Sequence, residues 1–342
     1  MARRIPSLDG LRAVSITLVM IYHVTGFGLW SPLGNLGVRV FFVISGFLIT
    51  GLLLEETARL GRIDLIEFYK RRALRIFPPF YVYLLCIGLL GASGVLFLNR
   101  GDLVEAACYV INYFPGREQS VYVRHIWSLA IEEQFYILWP GLLRFGGRKL
   151  AFQIAAAFLV AAPALRLIYW VFVPGYHDVM DRRFETVADA LATGCLLAGF
   201  QDWLRERPRY NAFLLSKWFW LVPPMPYLAY VFLGDHPRLF YTFAITIANV
   251  GIALCIDRWV RYPDGLIGTV LNSPPLRWVG LLSYSIYLWQ QPFLDAERNA
   301  IYNRFPLNLC LAAAFSVGSY FLVERPVQKL RARERGRVRM TA

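Results

Sequence analysis

Apolar runs of bilayer-crossing length recur along this chain and leave little room between them for a water-soluble fold. They fall at about 8–29, 36–56, 77–98, 126–143, 150–172, 184–200, 218–233, 238–256, 278–297 and 306–323. A transmembrane helix needs about 20 predominantly apolar residues. Hydrophobic residues make up 57% of the chain and charged ones 17%, where an ordinary soluble domain has roughly a quarter charged. The expectation is an all-α polytopic membrane protein of about ten transmembrane helices.

One further apolar piece, LVEAACYVINYF at 103–114, is short for a crossing and reads as a partial or re-entrant helix. Charge supports that reading. If the piece does not cross, one side of the membrane collects Arg3, Arg4 and Arg12; Arg59 through Arg75; Arg144, Arg148 and Lys149; Arg205 to Lys217; Arg258, Arg261 and Arg277; and the tail from Arg325 to Arg339. The other side keeps Arg100, Arg117, Arg124, Arg182, Arg183, Arg238, Arg298 and Arg304. Basic residues accumulate in cytoplasmic loops, so both termini are expected in the cytoplasm.

The net charge of +13 is therefore topology information, and no nucleic-acid partner is expected. The expected division is a membrane-embedded domain over 1–324 and a basic, lipid-contacting cytoplasmic tail over 325–342. The five cysteines all lie in apolar stretches without CxxC spacing, so no disulfide framework and no metal site is expected. No small-residue cleavage site follows the first apolar core, which reads as a retained span.

Ionisable residues inside such spans are functional hypotheses by default. Arg12 and His23 share the first span, LDGLRAVSITLVMIYH, eleven residues or ~16 Å apart on a helix. Counted from Leu8, His23 lies ~22 Å across, past the midplane. In HIWSLAIEEQFYILWP, Glu132 and Glu133 are two adjacent acids in an apolar stretch. If that span begins at Ile126, Glu132 sits ~9 Å below the far edge, matching the depth of His23. A carboxylate at that depth would orient the imidazole and raise its basicity. The competing reading is a structural ion pair between helices.

In FYKRRALRIFPPF, Arg72 and Arg75 are three apart and share a helix face at the mouth of a span, with Pro78 and Pro79 marking the entry. Guanidinium forks on one face suit phosphate, whereas Lys70 and Arg71 read as anchors. Gly34, Gly37, Ser45 and Gly46 are small residues that allow close helix contact, and packing is the favoured reading of Ser45. Glu185 and Asp189, at i and i+4, either line a polar entrance or balance Arg182 and Arg183. Gln290 and Gln291 stand among aromatics in SYSIYLWQQPF, a composition that suits sugar hydroxyls and also ordinary membrane interfaces.

Taken in order, DGLRAVSITLVMIYH, GVRVFFVISGFLIT, RRALRIFPPF, WSLAIEEQFYILWP, SYSIYLW and the closing ERP resemble the membrane-bound acyltransferase family 3 over nearly the whole chain. The resemblance implies acyl transfer, often of acetyl, from cytoplasmic acyl-CoA to a hydroxyl of a carbohydrate, glycolipid or glycosylated metabolite. It implies a multi-pass bacterial inner-membrane protein with acyl-CoA as substrate and no tightly bound cofactor. By position, Arg12 and His23 match the family's arginine–histidine pair, Arg72 and Arg75 its basic motif, and Glu132 its acid. Gln290 stands where many members have histidine. The chain also ends soon after the last run, where some members continue into an extracytoplasmic hydrolase-like domain, which leaves acceptor handling to the membrane domain or a partner.

The expected assignment is thus His23 and Glu132 as catalytic, Arg12, Arg72 and Arg75 as acyl-CoA-binding, and Glu133, Glu185, Asp189 and Gln290 as candidate acceptor contacts. The rival reading is a proton-coupled transporter of a polar or anionic solute, because intramembrane Arg, His and Glu also build proton relays. Paired broken helices, a common transporter sign, are not evident.

Overall fold

A computed structural model describes residues 5–25, 31–114, 119–177, 180–295 and 300–330. The far ends of the runs expected at 8–29 and 278–297, Arg3, Arg4, Arg117 and Arg298, and the tail from Arg331 lie outside the described residues. The described residues form helices and turns with no strand.

α1 (Pro6–Thr25) and α2 (Ser31–Leu60) form an antiparallel pair, and α3 (Leu65–Ala92) follows, capped by the Asp64 side chain, which accepts from the Glu67 N–H at 2.9 Å. α3 runs straight through Pro78 and Pro79. The prolines therefore do not mark its entry as the sequence suggested, and Lys70–Arg75 are themselves helical. Prolines inside a membrane helix are tolerated where neighbours satisfy the freed backbone, and the Tyr284 hydroxyl donates to the nearby Ile76 carbonyl at 2.9 Å.

The partial element is α4 (Asp102–Ala107) followed by a 3-10 turn at Ile111–Tyr113, with Tyr109 at φ 55 between them. It does not cross. The Gln134 amide pins it by donating to the Tyr109 carbonyl and to Asn112, both at 2.9 Å. α5 (Val121–Arg124) and α6 (Trp127–Gly141) then return antiparallel to α3: Tyr69 near the start of α3 donates to the Ile137 carbonyl, and Tyr83 further along donates to the Tyr122 carbonyl.

From Val121 to Phe172 the chain is almost continuously helical, a length of ~78 Å that exceeds any bilayer. A π-helical segment at Leu142–Gly146 and the left-handed φ of 74° at Gly147 separate α6 from α7 (Gly147–Phe172). α8 (Phe184–Arg205), α9 (Pro208–Leu215), α10 (Met225–Leu233), α11 (Pro237–Leu239) and α12 (Ile245–Arg261) follow. The run expected at 218–233 is interrupted at Pro223 and Pro224, just before α10 begins. Only nine residues of it form α10, ~14 Å and too short to cross alone. α13 (Gly265–Leu271), α14 (Pro274–Gln290) and α15 (Leu307–Ser319) complete the order, with α15 continuing as helix to Leu330.

Six of these stretches are long and apolar enough to cross a membrane. Large apolar side chains such as Leu85, Leu89, Ile137, Leu138, Phe172, Phe232 and Leu322 face outward, the pattern of a protein whose solvent is lipid. The chain is a multi-pass membrane protein.

Small residues set the interior spacing. α2 packs on α8 where Gly46 meets Gly194: a Cβ on Gly46 would lie 2.0 Å from the Leu191 carbonyl oxygen, and one on Gly194 2.1 Å from that of Val43. Backbones in direct contact are the usual device of membrane helix pairs. α1 meets α2 through Gly34 against Tyr22 and Gly37 against Ser15, and α1 meets α14 through Gly280 against the Asp9 carbonyl. α1 and α14 run parallel, Asp9 meeting Gly280 at one end and His125 lying near both Tyr287 and His23 toward the other, so the position level with His23 falls just beyond the end of α14.

Candidate active site

At the end of the bundle where α1 begins, Arg12 lies within electrostatic reach of Arg75, Asp9 and Glu132, and Arg72 within reach of Arg12, Arg75 and Glu132. The Arg72 guanidinium rests over the rings of Phe68 at 5.8 Å and Tyr136 at 5.1 Å. Among the described residues no ion pair joins Arg12, Arg72 or Arg75 to a carboxylate. Arg71, one position away, is held by Glu56 at 2.9 Å and Glu67 at 3.6 Å. Arg71 thus has acid partners that Arg12, Arg72 and Arg75 lack among the described residues. Arg75 is exposed at the mouth, while Arg12 and Arg72 are half-buried behind it.

Glu132 belongs to this end. Its carboxylate accepts from the Ser45 hydroxyl and from the Tyr136 hydroxyl at 2.8 Å. The α1–α2 pairing of Tyr22 with Gly34 and Ser15 with Gly37, continued down the helices, puts Ser45 level with Ser7–Leu11, ~18–24 Å from His23. No hydrogen bond or ion pair joins His23 and Glu132 among the described residues. This corrects the matching depths inferred from sequence. The physical reason is that the bundle's edge does not fall at Ile126: His125 is only 5% exposed, and Glu132 lies seven residues beyond it, ~10 Å deeper.

His23 stands at the other end. Its Nδ1 lies 2.9 Å from the Val19 carbonyl. A ring nitrogen facing a carbonyl must donate, so Nδ1 carries the proton and Nε2 keeps the basic lone pair. Its electrostatic neighbours are Arg124, Asp295 and His125. Gln290 is fully buried at the end of α14, with neither end of its amide partnered among the described residues.

Glu133 is 7% exposed and neighbours Tyr109 and Tyr284 as well as Glu132, away from His23. Glu185 accepts from Arg183 at 2.7 Å, Tyr169 at 3.3 Å and Tyr113 at 3.2 Å. Asp189 bonds Arg166 at 2.9 Å and Arg39 at 3.5 Å, all three being buried, instead of balancing Arg182 or Arg183. Arg39 also donates to Asn35 and Asn249. The structure groups neither Glu185 nor Asp189 with His23; both hold helices together.

Sequence reasoning overlooked Arg39, although an arginine inside the run at 36–56 is as costly in hydrocarbon as Arg12. It set Ser45 aside as packing and passed over His125. Glu324, 5% exposed, accepts from the Ser285 hydroxyl and neighbours Arg75. Both ends of the described helical bundle thus lie at the arginine end.

A family model described as an acyltransferase domain matches residues 5–325. The chain is 30% identical to the O-acetyltransferase OatA of Staphylococcus aureus (strain NCTC 8325 / PS 47), over 96% of this chain and 58% of that protein. It is also 30% identical to the putative peptidoglycan O-acetyltransferase YrhL of Bacillus subtilis (strain 168), covering 95% and 55%. To the peptidoglycan O-acetyltransferase OatA of Listeria monocytogenes it is 29% identical, covering 95% and 56%. The chain therefore spans a little over half the length of these relatives. No solved structure matches.

Proposed function

The chain belongs to this acyltransferase domain family, and from that premise we propose that it is an integral membrane O-acyltransferase. It moves an acyl group, acetyl in the first instance, from acyl-CoA to a hydroxyl of a carbohydrate or carbohydrate-bearing lipid. A cell-wall glycan is the leading acceptor, by likeness to relatives named for peptidoglycan O-acetylation. The observation that carries the reading is the convergence of Arg12, Arg72 and Arg75 without acid pairs at one end, with His23 eleven residues further along the same helix as Arg12.

The phosphates of CoA meet the three guanidiniums, whose planar donor forks suit them. The loop charges support a cytoplasmic position for this end, the side of an inner membrane on which acyl-CoA is made. The pantetheine arm runs along α1, and its extended length is of the order of the Arg12–His23 separation. His23 Nε2 takes the proton of the acceptor hydroxyl as that oxygen attacks the thioester carbonyl. The C–S bond breaks, His23 returns the proton to the departing sulfur, and CoA leaves as the free thiol. The Val19 carbonyl fixes the imidazole tautomer, a task the sequence had given to Glu132. Glu132 instead acts as a positioning residue, holding Ser45 and Tyr136 beside Arg72.

The test is incubation of the purified full chain in lipid nanodiscs with acetyl-labelled acetyl-CoA and isolated cell-wall glycan. Label recovered as base-labile ester on the glycan, with release of CoA thiol, is expected. Movement of a solute with the thioester left intact would instead mark a transporter.

A further inference from the structure

His125 is 5% exposed, and neither of its ring nitrogens makes a hydrogen bond of full geometry among the described residues; the nearest polar group is the Leu288 backbone, too poorly aligned to satisfy even one of the two. The ring is nonetheless firmly placed. It lies 5.7 Å from the Tyr83 ring and 5.4 Å from the Tyr287 ring. The same two tyrosines hold the backbone here: Tyr287 donates to the His125 carbonyl at 2.8 Å, and Tyr83 to the Tyr122 carbonyl, three residues earlier, at 2.5 Å. Packing alone would be served as well by phenylalanine, without two buried polar atoms. Buried polar groups in folded proteins are nearly always partnered, and exceptions call for an explanation.

More such atoms follow Tyr287 on the same stretch of chain and on the residue that bonds to it. The Trp289 ring lies 5.1 Å from Tyr83, and its Nε1 is unpartnered. Gln290, 0% exposed, has both amide atoms unpartnered, and Gln291, 2% exposed, has its Oε1 unpartnered. Asn303 donates to the Pro292 and Phe293 carbonyls and keeps a buried, unpartnered Oδ1. His23, an electrostatic neighbour of His125, completes the group. These atoms include donors and acceptors, and His125, Trp289, Gln290, Gln291 and Asn303 carry no fixed charge. That set does not favour an anion or a cation. It matches a neutral polyol, each of whose hydroxyls both donates and accepts.

We propose that His125, with Trp289, Gln290 and Gln291, forms the acceptor subsite, where a neutral polyhydroxyl ring is held with one hydroxyl against His23. The proposal rests on the acyltransferase reading and names the residues that hold its acceptor. One nitrogen of His125 donates to the bound ring and the other accepts from it. No bond is made or broken at His125.

The test uses the full chain expressed in a strain lacking its gene. Two measurements are made: base-labile acetate on the isolated cell-wall glycan, and acetyl-CoA affinity of the purified protein. His125→Phe keeps the ring between Tyr83 and Tyr287 and removes both nitrogens. His125→Gln keeps a donor and an acceptor and loses the ring. With His125 as a ligand contact, the Phe variant loses about tenfold or more of the glycan acetate, the scale of one or two lost hydrogen bonds, while Gln retains more activity than Phe. Gln290→Leu falls with the Phe variant, and all three bind acetyl-CoA as wild type does, because the donor site is at the other end. A fully active Phe variant beside an inactive Gln variant would make His125 a packing residue and overturn the proposal. A chain that binds acetyl-CoA while the wild type adds no acetate to any glycan would overturn the functional reading itself.

Discussion

The imidazole of His23 donates from Nδ1 to the carbonyl of Val19, one turn earlier on the same helix, at 2.9 Å. The bond aims Nε2 away from α1 and needs no carboxylate. His23→Ala should therefore remove the base and leave the bundle standing, because His23 is half-buried and its hydrogen bond among the described residues is to its own helix. Turnover with acetyl-CoA should fall by about 10²–10⁴-fold, the usual range for a positioned base. Normal turnover in a well-expressed, correctly inserted variant would take His23 out of the mechanism.

The Ser45–Glu132–Tyr136 bonds make a second prediction. Ser45→Ala and Glu132→Gln should each raise the apparent constant for acetyl-CoA and leave acceptor dependence unchanged, because Glu132 sits with the arginines. Their effects should not add, since both disturb one hydrogen-bonded unit. A double-mutant cycle on acetyl-CoA binding measures this. Strict additivity, or a Glu132→Gln effect confined to the acceptor, would dissolve the unit.

Arg72→Ala and Arg75→Ala should each weaken acetyl-CoA binding by about tenfold, the scale of a charge-assisted hydrogen bond. Wild-type affinity should fall with added salt, more so for the contribution of exposed Arg75 than for half-buried Arg72. Lys70→Ala and Arg71→Ala serve as controls. Loss of the Arg71–Glu56 pair, partly exposed, should change stability by no more than about 1 kcal/mol. Equal losses of binding at all four positions would make the cluster an undifferentiated basic patch.

Asp189→Ala should be a folding defect. It would strand Arg39 and Arg166, 1% and 0% exposed, without their shared carboxylate. Removing one partner of a buried pair typically costs about 3–5 kcal/mol. Glu185→Ala, whose Arg183 partner is more exposed, should cost far less. Thermal unfolding in detergent ranks the two variants, and the reverse order would contradict the structural role given to Asp189.

Much of this was legible in one dimension. Apolar run length gave most of the helices, and the brevity of 103–114 gave an element that does not cross. The RxxR spacing put Arg72 and Arg75 on one face. What failed was depth. Counting residues from an assumed edge locates a side chain only as well as the edge is known, and His125 looked like a flank because it precedes the apolar run. Partnerships failed too. Arg39 and Asp189 are 150 positions apart, and nothing local to either announces the other. The proline pair at 223–224 did signal a break, but mean hydropathy over the run hides it.

Arg12 and His23 ride one uninterrupted helix, so no loop motion can bring them closer. On the reading above, α1 works as a ruler for the donor. A short thioester such as acetyl-N-acetylcysteamine could approach His23 but would leave the arginines empty, and a nucleotide without the arm would grip the arginines and never arrive. Adding or deleting a residue between the two positions would swing the imidazole by about 100° around the helix and separate grip from chemistry, with both still intact.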